Sequence, residues 1–327
     1  MDELGIFKDF TDESIKSVYS INGNIIEMTL LQNREDTDVV CVPTHHFCNL
    51  GCKMCHLTNN KLNKRMIPIN RENFESALEK TVKNINNERR TNKKILLISF
   101  MGVGEPLLNL DLLKDVFLNR NNIAKNLGYE HVGFALSTMM PNSNIDKLTK
   151  FVNINNIPLK IHFSLHTPFD IKRKLLIPST NIDVEQALHK LNIYESIISR
   201  NKTIMKEFTL YHKTNKLTEI HYTLINGKND SDEELNQLIY LLKKYKISIK
   251  FIRFNPINNL EQSTKEKEWI SKIKKETNVN VKLYTPPGRE IGSSCGEFTK
   301  HYYHEELETK EEYDEFIRWK NKHQIYE

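Results

Sequence analysis

The chain has 327 residues, 39% of them apolar and 27% charged, with a formal net charge of +5. That is enough apolar material for one large domain or two modest ones, and no apolar run approaches the roughly 18 residues of a membrane span. Five cysteines in this length do not make a disulfide scaffold, and a mild positive charge permits nucleic-acid binding without arguing for it.

The opening stretch, MDELGIFKDFTDES, is acidic and lacks the basic-then-apolar pattern of a secretion leader. A cytoplasmic monomer with reduced cysteines is the expectation. Residues 1–38 read as an N-terminal extension with a short strand pair. From there, short β-rich apolar runs alternate with amphipathic segments. The strand candidates are VVCVPT (39–44), ILLISF (95–100), HVGFALS (131–137), LKIHFSL (159–165), EIHYTLI (219–225), ISIKFIRF (247–254) and VNVKLY (279–284). The helix candidates begin at Arg71 with RENFESALEKTVKNINNERR. DLLKDVFLNRNNIAKN, SNIDKLTKFVNIN, DVEQALHKLNIYESIISR, SDEELNQLIYLLKKYK and TKEKEWISKIKKET follow in chain order. Several open on Ser, Asp or Thr at the N-cap place. Such alternation predicts α/β architecture, a parallel sheet with crossover helices, either open or closed as a barrel. The catalytic domain is placed at 39–300. Residues 301–327 read as a charged C-terminal helix carrying HEELETKEEYDEFIRWKNK (304–322).

Fifty residues in, CNLGCKMC puts Cys48, Cys52 and Cys55 at C-x3-C-x2-C spacing. Zinc would need a fourth ligand, for which His45, His46 and His56 lie close by. An iron–sulfur cluster would use the three thiolates and leave one cubane iron open. Structural thiols are the third reading. The position, a loop just after the first barrel strand, is where a βα-barrel puts its active site. FMGVGEPLLN (100–109) follows the second strand, and its glycines let backbone approach a ligand.

The C-x3-C-x2-C spacing resembles the signature of radical SAM enzymes. There the open iron chelates S-adenosylmethionine, and reductive cleavage gives a 5′-deoxyadenosyl radical. The resemblance narrows to the RlmN/Cfr family of radical SAM adenine methyl-synthases of RNA. It rests on IIEMTLL with CNLGCKMC, FMGVGEPLLN, LKIHFSLHTP, GKNDSDEE and FNPI, in that order, with SSCGEF following, across roughly residues 20–300. It implies a partial (β/α)6 barrel holding a [4Fe-4S] cluster on Cys48, Cys52 and Cys55. Two S-adenosylmethionine molecules are used per turnover, and a flavodoxin or ferredoxin supplies electrons. Cys295, in SSCGEF, would carry a methyl group on sulfur. Cys41 would later form a transient disulfide with it. Glu27 would accept a proton. Gly104, Glu105, Ser137, Ser164, Leu165, His166 and Asn255 would hold S-adenosylmethionine. The product would be an adenine methylated at C2, or alternatively C8, in ribosomal or transfer RNA.

Each assignment has a plainer counterpart. Cys41 sits in apolar VVCVP and reads as a buried strand residue; Cys295 reads as an exposed loop thiol. Leu165 reads as core, His166 as a helix cap, and Glu27 as a surface carboxylate on a strand. The basic runs KLNKR (61–65), KRK (172–174) and KIKK (272–275) read as solvated faces. The sequence also departs from the family. About 20 residues precede the NGNIIEMT stretch, where the family carries a helical RNA-binding domain, and an acidic segment follows SSCGEF. Acidic charge opposes phosphate binding. The departure keeps open the same chemistry on a nucleotide, a small heteroaromatic or a peptide.

Overall fold

The computed structural model describes residues 1–31, 34–57, 65–88, 93–257, 259–291 and 310–326. These fall into two compact units. The first comprises Met1–Asn49, His56–Phe134 and Pro287–Glu327; the second comprises Leu50–Cys55 and Ala135–Pro286.

The first unit opens with three antiparallel strands, β1 (Asp2–Lys8), β2 (Ile15–Ile21) and β3 (Asn24–Leu31), where the sequence suggested a pair. Asn22 and Gly23 join β2 to β3 with φ of 51° and 73°. That is the two-residue hairpin turn Asn-Gly favours, because both central residues need positive φ. β4 (Thr37–Cys41) pairs antiparallel with β3, placing Thr29 opposite Cys41. β5 (Ile95–Phe100) pairs parallel with β4, placing Cys41 opposite Ser99. The β4-to-β5 crossover carries α1 (Arg71–Glu88). After β5, the segment expected as one helix is two, α2 (Leu110–Leu118) and α3 (Arg120–Leu127), broken at Asn119. Asn119 leaves helical geometry at φ −88°, ψ 6°, ending one helix and starting the next. The core is a relay of rings: Phe74 to Phe100 at 5.7 Å, Phe100 to Phe117 at 5.9 Å and Phe117 to Phe134 at 4.5 Å.

β6 (His131–Thr138) contributes to both units. In the second unit the strand order is β6, β7 (Leu159–Ser164), β8 (Thr218–Tyr222), β9 (Ser248–Ile252), β10 (Val281–Tyr284), and the last four run parallel. Helices alternate with them: α4 (Asn144–Ile154), α5 (Asp170–Leu176), α6 (Val184–Ile198), α7 (Lys202–His212), α8 (Asp232–Tyr245) and α9 (Glu266–Glu276). α8 starts with a capping box in which Ser231 and Glu234 satisfy each other's backbone. Trp269 of α9 is fully buried against Tyr222 and Phe251, with ring centroids 5.7 and 6.3 Å away. β4 pairs parallel with β5 and β7 to β10 run parallel, with helix between successive strands from β4 onward, the alternating α/β pattern expected from the sequence.

The C-terminal helix, α10 (Lys310–His323), leads into a short strand, β11 (Gln324–Tyr326). β11 pairs with β1, Ile6 opposite Tyr326. This tail is more than a solvated element. Trp319 stacks on Phe7 at 5.3 Å and donates through Nε1 to the Glu290 carbonyl at 2.7 Å. Among the described residues, no helix is long and apolar enough to cross a membrane.

Candidate cofactor and thiol sites

In the first unit, strand register lines up a polar row across the sheet. Lys16 on β2 stands opposite Thr29 on β3, Thr29 opposite Cys41 on β4, and Cys41 opposite Ser99 on β5. Residues directly opposite one another share a face, so these four side chains are neighbours. Glu27, two residues from Thr29, lies on the same face. Lys16 Nζ is 3.6 Å from Glu27 Oε2, with side chains only 1% and 5% exposed. Glu27 is therefore a buried, ion-paired carboxylate and not a surface one. Burial pushes the Cys41 thiol up to about 11, against the opposing charge of Lys16 and a hydrogen bond with Ser99. At neutral pH Cys41 is a protonated thiol with a built-in means of stabilising its thiolate.

The stretch after β4 is strapped to the glycine loop after β5. Thr44 and His45 both donate their backbone N–H to the Val103 carbonyl, at 2.9 and 3.3 Å. A Cβ on Gly102 would lie 2.7 Å from the Val42 backbone. A Cβ on Gly104 would overlap the His45 ring and sit 2.7 Å from Thr44 Oγ1, and Gly104 has φ of +104°. Only glycine fits there, on space and on backbone conformation alike. Glu105 is buried and caps the turn after it, accepting from the Leu107 N–H at 3.0 Å. Asn109 ties the loop down by donating to the Thr44 and Ile69 carbonyls, at 2.8 and 3.0 Å. Burial, with His46 beside it, lowers the His45 imidazole to about 4. His46 directs Nδ1 to the Ile25 carbonyl at 3.2 Å.

Cys48 is half-buried in the first unit, and Cys52 and Cys55 are half-buried in the second. Cys55 closes a turn by donating its N–H to the Cys52 carbonyl at 3.0 Å. Cys52 Sγ approaches Met139 Sδ at 3.9 Å and packs with Leu176 and Ile177. Three soft thiolate donors inside eight residues, on a loop directly after a parallel strand, fit an iron–sulfur cluster with one iron left for another ligand.

At the strand ends of the second unit, Ser137 Oγ and Ser164 Oγ lie 3.2 Å apart. Leu165 is fully buried, so its side chain is core. His166 is held in left-handed backbone geometry at φ 58°. Its Nδ1 accepts from the Thr223 N–H at 3.1 Å, and its carbonyl accepts from Asn229 Nδ2. Burial first, then the charge of Arg173, lowers this imidazole to about 3. With Nδ1 an acceptor on a neutral ring, Nε2 carries the proton and is the donor. Asn255 is half-buried just beyond β9. Cys295 lies outside the described residues.

Sequence reasoning missed Arg173. Within KRK it looked like surface charge, yet the residue is 1% exposed. Its guanidinium donates to the carbonyls of Leu165 (3.2 Å), Ser164 (3.0 Å) and Met139 (2.7 Å) and to Thr180 Oγ1 (2.6 Å). It also lies over the Phe163 ring at 5.0 Å. It clamps the backbone that carries Ser164, Leu165 and Met139. The signal available in advance was its place five residues beyond SLHTP, too weak to separate it from its exposed neighbours. Lys16 was missed for the same reason, since a lysine inside a strand reads as a solvent-facing residue.

The three-thiolate loop, the glycine loop after the next strand and the parallel β/α series define a class. Residues 42–242 match the profile of the Radical SAM superfamily, and the chain belongs to that superfamily. Among curated proteins it is similar to a protein named "Probable dual-specificity RNA methyltransferase RlmN" from Clostridioides difficile (strain 630). The two are 26% identical over 287 residues, which is 86% of this chain and 74% of that protein. A protein of the same name from Clostridium botulinum (strain Hall / ATCC 3502 / NCTC 13319 / Type A) is 29% identical over 287 residues, with the same coverage. Among solved structures, a radical SAM methyltransferase from Sphaerobacter thermophilus shares the fold. Its TM-score is 0.71 at 20% identity, covering 90% of this chain and 80% of that one.

Proposed function

We propose that the chain is a radical SAM methyl-synthase that methylates an adenine carbon, C2 with C8 the alternative, through a methylated Cys295. The observation that carries this reading is the buried row of Lys16, Thr29, Cys41 and Ser99 with Glu27 beside it. A thiol, a cation able to stabilise its thiolate and a buried carboxylate share one sheet face seven residues before the first cluster cysteine. Structural thiols do not need such surroundings.

Cys48, Cys52 and Cys55 would hold the [4Fe-4S] cluster, with the fourth iron open to S-adenosylmethionine. When bound, the pair supplies the radical that activates an otherwise unreactive methyl group. Glu105, beside Gly104, presents the carboxylate for an ammonium group, and Gly104 leaves room for its approach. Ser137 and Ser164 offer paired hydroxyls for a ribose. His166 offers Nε2–H as a neutral donor, and Asn255 adds an amide. Glu27 accepts a proton as the product is released, and Lys16 stabilises the carboxylate until then. Cys41 resolves the adduct on Cys295 and forms a disulfide with it, which an external reductant such as flavodoxin or ferredoxin-linked thiol chemistry must reopen.

The relatives are named RNA methyltransferases, which supports ribosomal or transfer RNA as substrate. A second reading, the same chemistry on a free nucleotide or small heteroaromatic, is favoured by the charged strand face described next. The test is anaerobic purification, cluster reconstitution and peptide mass spectrometry. A methyl group on the peptide containing Cys295 is expected after incubation with S-adenosylmethionine. An unmodified Cys295 in a protein that cleaves S-adenosylmethionine refutes the thiol-mediated mechanism.

A further inference from the structure

In the second unit, β7 and β8 are buried on both faces and β9 and β10 in part, and the faces differ. Phe163, Tyr222 and Phe251 lie on the side packed by helices, where Trp269 fills the space. Alternate residues point the other way. They include Lys160 and His162 of β7, Glu219 and His221 of β8, Lys250 of β9 and Lys282 of β10. Register makes them neighbours: His162 is opposite Glu219, His221 opposite Lys250, and Lys250 opposite Lys282.

Glu219 is the hub, 1% exposed. Its Oε2 lies 2.8 Å from Lys250 Nζ, 3.3 Å from His162 Nδ1, 3.6 Å from Lys160 Nζ and 3.9 Å from His221 Nε2. Its Oε1 lies 3.1 Å from Lys282 Nζ. The imidazoles bring no charge. Burial above all holds both low, His162 at about 3 and His221 well below its ordinary value, despite the pull of Glu219. Three ammonium groups therefore face one carboxylate. Burial and this excess bring Lys160 down to about 8, even with Glu219 beside it. His162 Nδ1 is directed at the Glu219 carboxylate, and His221 Nε2 is buried with no hydrogen bond to the described residues.

Two ligand chemistries could complete such a cluster. His162, Glu219 and His221 place donor atoms within 4.8 Å of one another, the pattern of a two-histidine, one-carboxylate metal site. The three lysines oppose it, because a dication would enter beside three ammonium groups already gathered on Glu219. An anion is attracted by the same charges and finds the buried His221 Nε2 available to it.

We propose that Lys160, Lys250 and Lys282, with His162 and His221, bind the phosphate of a nucleotide-sized substrate. This rests on the reading of Ser137, Ser164 and His166 as the reaction end of the unit. The side chains of Lys282, Lys250 and Lys160 are 42%, 19% and 8% exposed, a graded series of cations leading inward from β10. His162 lies two residues before Ser164, roughly 7 Å along the strand. A mononucleotide that enters phosphate first would leave its base at the serine end. An internal residue of RNA carries phosphates on both sides, whereas this face gathers its cations around one carboxylate.

The test is calorimetric titration of the cluster-reconstituted protein with AMP, adenosine, inorganic phosphate, a short adenine-containing RNA and zinc. AMP is expected to bind at least about tenfold more tightly than adenosine, the scale of charge-assisted hydrogen bonds. Lys282→Gln, at a half-exposed side chain that the fold tolerates, should remove most of that difference, and Lys250→Gln the remainder, with melting temperatures as the check on folding. Equal binding of AMP and adenosine overturns the proposal. So does RNA binding without AMP binding, phosphate binding indifferent to the lysine variants, or zinc binding lost in His162→Ala with no anion bound. The enzymatic reading is scored separately on the wild-type protein. If AMP binds through the lysines but neither AMP nor RNA acquires a methyl group, the anion site stands and the proposed reaction falls.

Discussion

Replacing Arg173 with methionine is the sharpest test of how the second unit holds its strand ends. The substitution keeps side-chain length and removes four hydrogen bonds, to Leu165, Ser164, Met139 and Thr180. Three carbonyls and a hydroxyl would be left in a place where the arginine itself is 1% exposed. Each unsatisfied buried acceptor costs about 1–3 kcal/mol. The sum is reduced because the desolvation of a buried guanidinium is no longer incurred, so a net loss of about 3–5 kcal/mol is expected. The chain has two tryptophans, Trp269 in the second unit and Trp319 in the first. In a Trp319→Phe background, urea unfolding followed by fluorescence reports the second unit alone. With a slope of about 2 kcal/mol/M, the midpoint should fall by roughly 1.5–2.5 M. Arg173→Lys should recover only part, since one ammonium cannot reproduce a planar fork of donors. A midpoint shift below about 0.5 M for Arg173→Met would refute the clamp, because that slope makes it under about 1 kcal/mol.

Other outcomes follow from the same geometry. Gly104→Ala should weaken S-adenosylmethionine binding at least about tenfold, since the new methyl meets the His45 ring and Thr44 while φ is +104°; unchanged binding by equilibrium dialysis would refute the close approach. Alkylation of Cys41 by iodoacetamide, read by peptide mapping, should rise with pH up to about 11, and Lys16→Met should move the profile higher still. The same shift bears on stability: the unfolded thiol ionises near 9.0 and the folded one at about 11, so the unfolded state binds fewer protons between them. The folded state should therefore lose stability as pH rises through that window, and Cys41→Ser should remove the loss in urea titrations at pH 8 and 10.5. His166→Ala should raise the KM for S-adenosylmethionine while leaving iron content unchanged, and loss of iron would move His166 out of the proposed role.

The parts of the fold legible in the sequence were those whose physics is local. The strands β4 to β9 stood out because buried strands are short β-rich runs, and several of the helices between them carried caps. The break at Asn119 was hidden because the apolar spacing continues through it. α5 and α7 were too short and too polar to stand apart from loops. β1 reads as polar at its first residues and packs because β2 and β11 cover its two edges, a pairing between residues 2–8 and 324–326 that no local pattern encodes. The cysteine and glycine motifs were legible because their spacing is the chemistry. Arg173, Lys16 and the Glu219 cluster were not, because their roles depend on which strands become neighbours.

The Glu219 cluster nevertheless left a trace whose meaning changed with topology. KIHFS, EIHY, SIKFI and VKLY all alternate polar with apolar residues. In an antiparallel sheet with one face in water, that alternation marks the wet face. In β7 and β8 it cannot, since both faces of these parallel strands are buried, and a strand with no task beyond packing would be apolar throughout. Burying Lys160, His162, Glu219 and His221 together, each no more than 7% exposed, costs stability that apolar residues would have gained. Under the proposed anion site, polar alternation inside these buried strands serves ligand binding, and the excess of lysines over the carboxylate favours an anion. The strand ends of the second unit present two hydroxyls and an uncharged imidazole, with the Arg173 guanidinium bonded to the backbone that carries them. The proposed anion site lies two residues back along β7 from Ser164, apart from the hydroxyls proposed for the cofactor.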